Sequence, residues 1–440
     1  MPDPRCDAPN SDAQRKQWSS EPAFVLSMAA AAVGLGNLWR FPYMVGENGG
    51  GAFVLAYLLA LVVVALPVMM LEVAAGRLAQ GSVVGTYRQV HRFASAYGWL
   101  VVLLTTAITS YYLVITGWTL GYAVDAVRGA VVPFDDFSQG YASLWWFVVV
   151  TLLVTAVLVR GVSAIERLSK ALMPVLLVVI VTMVAVGAST DGWDEARRFM
   201  LSADFSRWAE PGLWLFAFGQ AFYSLAIGQG YLATYGSFIP QRTHVPRATL
   251  VVAGTETTIA LLAGWMVFPF VFAFGFEPDA GSQLAFGTLP RVFDEMAAGA
   301  YLAVAFFGLF FAAAFSSCLA GMKVVVSALS EELRLGDFRA VLVVGALMLL
   351  LGTPSALSFT PVGLSVMGMP FLDFMDQFGG TNVVVASGVI GAGVLCWLLP
   401  PPRLADALGA RAAWWRWRIV LVGRSLPFAG VAFVAWSLLA

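Results

Sequence analysis

Residues 30–53, AAAVGLGNLWRFPYMVGENGGGAF, decide the fold. The stretch is apolar enough to enter a membrane, yet Gly34, Gly36, Asn37, Arg40 and Pro42 stand where a plain membrane helix would carry leucine. In hydrocarbon every backbone polar group needs a partner, so a broken helix is tolerated only where it lines a cavity or is covered by protein. The stretch therefore predicts a binding site. A helix broken at mid-membrane leaves amides free for an anion and carbonyls free for a cation. That combination suits a zwitterion travelling with a metal ion.

The rest of the chain supplies the setting. Of its 440 residues 60% are hydrophobic and 12% charged, and the mean hydropathy is +0.81, which excludes an ordinary soluble domain. Crossing about 30 Å of hydrocarbon takes about 20 apolar residues. Eleven such runs are present, at 24–46, 51–76, 98–125, 144–160, 170–189, 212–238, 248–275, 299–329, 339–357, 372–399 and 417–439. The near balance of 25 basic against 26 acidic residues gives no footprint for nucleic acid. With the N-terminus inside, the cytoplasmic segments hold 17 Lys and Arg and the outer loops 5, while Arg40, Lys323 and Arg424 fall inside spans. The positive-inside rule then predicts a cytoplasmic N-terminus, and an odd span count predicts an external C-terminus. Cys6, Cys318 and Cys396 are too scattered for a disulfide framework or metal cluster. The polar N-terminal tail leads into the first apolar run without a cleavage-site pattern, so no removable signal peptide is expected.

Taken in order, residues 1–20 form a polar tail in which Arg15 and Trp18 approach span 1. Trp18 suits an aromatic belt or a gate equally. Glu72, close to the end of span 2, is a functional candidate unless it reaches water at the interface. Span 3 carries the polar patch Thr109, Ser110, Tyr111 and Tyr112. Adjacent tyrosines point about 100° apart on a helix, so at most one faces a given cavity. Spans 4 and 5, joined by RGVSAIERLSK, read as scaffold, and 126–143 and 190–211 as loops without a chemical motif.

Span 6, WLFAFGQAFYSLAIGQGYLATYGSF, repeats the opening theme with Gly219, Gly228 and Gly230 beside Ser224 and Gln229. Alone, such glycines mean close helix packing. Corresponding breaks five spans apart point instead to a site at the interface of two inverted repeats. Glu256 lies well inside span 7, where a buried carboxylate must meet a cation, a proton or a basic partner. Span 8 carries Ser316, Ser317, Gly321 and Lys323; serines there bond back to their own backbone or face a ligand. In span 10, Asp376 is a counter-ion for Arg40. The arrangement predicts an all-α polytopic membrane protein divided as 1–20 tail, 21–189 spans 1–5, 190–211 outer loop, 212–400 spans 6–10, and 401–440 cytoplasmic loop with span 11.

Residues 32–42, AVGLGNLWRFP, with ENGGGAF at 47–53, resemble the signature of the neurotransmitter:sodium symporters. The resemblance continues around Tyr112, from Gly219 to Gly230, at Ser316 and Ser317 and at Asp376, so it covers nearly the whole chain. It implies a leucine-transporter-like fold, a 5+5 inverted repeat with spans 1 and 6 broken and an eleventh span appended, as in a bacterial subgroup. It also implies two sodium ions beside an amino acid. The first sodium would take the carbonyl of Ala32, Asn37, Ser224, Glu256 and the substrate carboxylate. The second would take the carbonyls of Ala30, Val33 and Ala313 and the hydroxyls of Ser316 and Ser317. These are the hard oxygen ligands that a hard cation prefers. The substrate carboxylate would meet the amides near Gly34, Leu35 and Gly36 and the hydroxyl of Tyr112. The ammonium would meet carbonyls of Ala32, Tyr223, Ser224 and Ala226, with Ile108 as an apolar wall. Arg40 and Asp376, lidded by Tyr112 and Tyr223, would close the outside; Arg15 and Glu331, with Trp18, the cytoplasmic side.

Some residues depart from the family pattern. Glu256 stands where many members have asparagine. It puts a fixed negative charge beside the first sodium and predicts independence from chloride, with proton counter-movement open. Gln229 in the break and Gly321 on span 8 suggest a roomier pocket with a polar handle, for an aromatic or polar L-amino acid. Lys323 either snorkels to the cytoplasmic vestibule or substitutes for the second sodium. No nucleophile, base and metal ligands cluster as in an enzyme, and His91 and His244 fall in cytoplasmic loops. The expected protein is a sodium-coupled amino-acid symporter of a bacterial or archaeal inner membrane, monomer or homodimer, working by alternating access. The alternatives are a carrier of taurine, a betaine or another amine, and a transport-inactive sensor.

Overall fold

Helix punctuation in the sequence becomes helix geometry in the computed structural model, which describes residues 17–129, 134–138, 140–240, 243–278, 285–296, 298–408 and 413–439. Span 1 starts where the Ser20 hydroxyl caps the Ala23 N–H at 3.3 Å, with Pro22 in the first turn, where its missing N–H costs nothing. It runs over Glu21–Ala32, opens at 33–35, and resumes over Gly36–Glu47 with a bend of 51°.

Among the described residues eight further helices are long and apolar enough to cross a membrane: Gly51–Ala79 (span 2), Ala94–Val127 (span 3), Ala142–Val159 (span 4), Val162–Gly187 (span 5), Val245–Ala273 (span 7), Gly299–Glu332 (span 8), Asp337–Ala356 (span 9) and Phe371–Leu398 (span 10). Span 6 is two short helices, Pro211–Ser224 and Tyr231–Gly236, separated by 225–230. Span 11 is Ala413–Leu439. Each of the eleven apolar runs is thus helical. The joining segment RGVSAIERLSK is not a loop, since all but its first two residues belong to span 5. Nor is 190–211 plain loop: it holds the helix Trp193–Leu201 and the turn Phe205–Ala209.

Two wide π-helical turns, Gly36–Arg40 and Leu61–Ala65, each end two residues before a proline, Pro42 and Pro67. Proline lacks the donor that would continue a regular ladder, and the wider turn absorbs the gap.

Burial sorts the spans into layers. Spans 3 and 8, 34 residues each, pack along one another, and 83% and 67% of their apolar windows are buried. Spans 4 and 5, at 33% and 28%, form the periphery. The broken spans 1 and 6 therefore sit against a rigid central pair, where their unpaired backbone is covered by protein.

Candidate substrate and ion site

The break in span 1 is held open by side chains that replace its missing helical partners. Val33 is extended, the Gly34 N–H donates to Asn37 Oδ1 at 3.3 Å, and the Leu35 N–H donates to the Tyr112 hydroxyl at 2.6 Å. Gly34 is required here, because a Cβ would collide with Ser317 Oγ and the Tyr112 hydroxyl.

In span 6, Ala226 lies at φ 54° and Gly228 and Gly230 at φ 74°. Left-handed backbone at a non-glycine residue is strained and persists only where its surroundings fix it. Three neighbouring spans do so. Glu72 of span 2, 2% exposed, accepts the Gly228 N–H at 3.0 Å; Ser387 of span 10 donates to the Gly228 carbonyl at 2.7 Å; Thr105 of span 3 donates to the Gln229 carbonyl at 2.6 Å. Glu72 is therefore an internal clamp on the break and does not reach water.

Between the two breaks lies a cavity of about 20 Å³, room for about one water. Ala32, Gly34, Gly36, Ile108, Tyr112, Tyr223, Ala226, Gln229 and Ser317 line it, as expected, together with Ala31 and Tyr231. Leu35 contributes its amide, and Ser224 turns toward span 7. The room expected at Gly321 is filled: a Cβ there would stand 2.6 Å from the Tyr231 hydroxyl and collide with Thr109. Tyr231 was legible only as the first residue after the second break.

On one flank, Asn37 Nδ2 donates to the Glu256 carbonyl at 3.2 Å and to Glu256 Oε1 at 2.6 Å. Glu256 is fully buried, and the groups reaching its carboxylate, Asn37, Ser224, Thr257 and Tyr57, are all neutral. Gln220, absent from the expected set, donates to Ser224 Oγ at 2.9 Å and to the Gly36 carbonyl at 2.8 Å. A buried anion among neutral groups is a place for a cation.

On the other flank, Ser316 Oγ donates to the carbonyls of Ala30 at 2.6 Å and Ala313 at 2.8 Å. Ser317 Oγ lies 3.0 Å from the Ala31 carbonyl, 3.4 Å from that of Ala313 and 3.5 Å from that of Val33. Two hydroxyls and the carbonyls of Ala30, Val33 and Ala313 thus converge where span 1 opens against span 8. The donor set is all hard oxygen and fits a sodium ion.

Both ends of this centre are covered. At one, buried Arg40 donates to Gln220 Oε1 at 2.8 Å, lies 5.1 Å from the Tyr223 ring centroid and is attracted by Asp376. The tyrosine bonded to Asp376 is Tyr111, at 2.9 Å, rather than Tyr112, which turns into the break. The 100° step between the two sends them to different tasks. At the other end Trp18, 3% exposed, donates its indole N–H to the Tyr235 carbonyl at 3.1 Å and meets the rings of Tyr235 and Phe238, which removes the belt reading. Glu331 accepts the Ser82 N–H at 2.5 Å; its expected partner Arg15 lies outside the described residues. Lys323 Nζ sits 5.6 Å from the Phe238 ring and lines a cavity with Glu331.

The family profile described as "Sodium:neurotransmitter symporter family" matches residues 15–143 and 141–433. The chain is 32% identical over 406 residues to an uncharacterized sodium-dependent transporter of Haemophilus influenzae, covering 87% of this chain and 88% of that one. It is 32% identical over 394 residues to another from Bacillus subtilis, covering 86% and 87%. Its fold is similar to the crystal structure of MhsT in complex with L-phenylalanine, with a TM-score of 0.90, 32% identity and coverage of 96% of this chain and 100% of that chain.

Proposed function

This chain belongs to the sodium:neurotransmitter symporter family, and from that premise we propose that it imports an L-amino acid with an aromatic or polar side chain, together with two sodium ions and without chloride. The observation that carries the proposal is the meeting of two opened helices with two oxygen-rich flanks around one enclosed cavity. The amino acid lies across the breaks. Its carboxylate takes the Leu35 amide and the Tyr112 hydroxyl, where helix N-terminal dipoles favour an anion. Its ammonium takes carbonyls of the span 6 break, and Gln229 and Tyr231 bound its side chain.

One sodium is held by Asn37, Ser224 and Glu256 with the Ala32 carbonyl, the other by Ser316, Ser317 and the carbonyls of Ala30, Val33 and Ala313. Glu256 places a carboxylate of its own beside the first ion, so no mobile anion is needed there. The Arg40 end faces outward and the Trp18 end faces the cytoplasm, as the placement of Lys and Arg requires. MhsT, with L-phenylalanine bound, supports an amino acid as cargo.

The test is thermal stabilisation of the purified protein in sodium against potassium, across L-amino acids, taurine and glycine betaine. Aromatic or polar L-amino acids are expected to raise the melting temperature only with sodium. Stabilisation by taurine or betaine alone would overturn the substrate class. Uptake into proteoliposomes is expected to be unchanged when gluconate replaces chloride, and its loss would refute chloride independence.

A further inference from the structure

Spans 10 and 11 leave between them a groove of about 640 Å³ that the transport reading does not use. Its span 11 wall is formed by Arg416, Val420, Arg424 and Phe428, spaced by four and so on one helix face. Trp397 of span 10 flanks it, and Trp397 and Phe428 are both largely exposed. Arg424 is exposed as well, although it stands within the apolar run 417–439. Its Nε donates to the Cys396 carbonyl at 3.3 Å, two residues before span 10 ends, and its guanidinium lies 5.5 Å from the Trp397 ring. The guanidinium is therefore level with the end of span 10, at the membrane boundary where tryptophan is favoured.

A guanidinium has five N–H donors, and the bond to Cys396 uses one. Among the described residues the guanidinium makes no other hydrogen bond or ion pair, and from residue 384 to 440 the sequence holds five arginines and one acid, Asp406. A cation facing lipid at the membrane boundary meets the headgroup layer, and basic grooves between membrane helices suit lipid phosphates.

We propose that this groove binds an anionic phospholipid of the phosphatidylglycerol class from the leaflet at the end of span 10. Its phosphate lies between Arg416 and Arg424, whose planar forks match phosphate oxygens. One acyl chain runs past Phe428 toward the membrane centre. The proposal rests on spans 10 and 11 crossing the membrane; the assignment to the cytoplasmic leaflet rests on the orientation proposed above. A second copy of the chain is a poorer occupant, since a two-fold contact through this face would oppose arginine to arginine.

The full-length protein is reconstituted in phosphatidylcholine nanodiscs with and without phosphatidylglycerol, and retained lipid is counted by native mass spectrometry. One phosphatidylglycerol per chain is expected, with at least tenfold weaker retention in Arg416→Gln/Arg424→Gln and unchanged retention in the Arg334→Gln/Arg339→Gln control. Sodium-dependent substrate binding is expected to persist in all three, which separates this proposal from the transport reading. Arg416→Gln alone, at an exposed position, serves if the double variant is unstable. Retention equal to wild type in these variants, or a lipid-free dimer formed through the groove, would overturn the proposal.

Discussion

Lys323 lies seven residues beyond Ser316 on span 8, hence on the same helix face and about 10 Å further along the axis. Its ammonium meets the Phe238 ring, in a cavity shared with Glu331, and not the Ser316 and Ser317 hydroxyls. That geometry supports the vestibule reading. The expected result for Lys323→Gln is an unchanged sodium-to-substrate ratio in flux measurements, with a shifted sodium affinity because unit charges still interact over about 10 Å. A changed ratio would return the ammonium to the ion site. Gln229 and Tyr231 bound the pocket, so Gln229→Phe is expected to alter the rank order of competing amino acids. An unaltered order would remove Gln229 from substrate selection. Asn37, Glu256 and the paired serines were legible in the sequence as polar groups inside spans, and their proposed ion-binding roles came from the family resemblance. Gln220 was not, because its role comes from joining Arg40, Ser224 and the Gly36 carbonyl, which only folding brings together.

The break in span 6 is a strained element, secured by Glu72, Thr105 and Ser387 from three other spans. Gly228 combines φ 74° with a site where a Cβ would stand 2.5 Å from the Gly388 nitrogen. Gly228→Ala is therefore expected to cost at least about 1–3 kcal/mol and to abolish sodium-dependent substrate binding. Gly212→Ala, in the same span with open space at its Cβ, is the control and should melt like wild type. Equal melting temperatures for the two would show that the break does not need its left-handed turn. Glycine spacing located both breaks in the sequence. The clamps were missed because Glu72 reads equally as an interfacial acid until span 6 is packed against it.

For the whole molecule, the arrangement is closed at both ends, by Arg40, Asp376, Tyr111 and Tyr223 at one and by Trp18, Tyr235 and Phe238 at the other. Alternating access requires each closure to open without the other. Trp18→Ala is expected to raise hydrogen exchange at least tenfold across residues 17–35 and leave 371–383 unchanged, with Asp376→Asn doing the reverse. Exchange rising at both ends in either variant would mean that the closures are coupled rigidly. Sequence alone determined that this is a polytopic helical membrane protein with two interrupted spans, since run length, glycine and proline act locally and hydrocarbon leaves an unpaired backbone few options. The family resemblance, rather than composition or spacing, named the oxygens proposed to meet a cation. Tertiary structure decided which tyrosine guards Asp376 and which enters the break, that Tyr231 fills the room at Gly321, and where Lys323 points. Those outcomes depend on how each helix is rotated about its axis: one residue turns a side chain by about 100°, and that rotation is set by packing against spans distant in the chain.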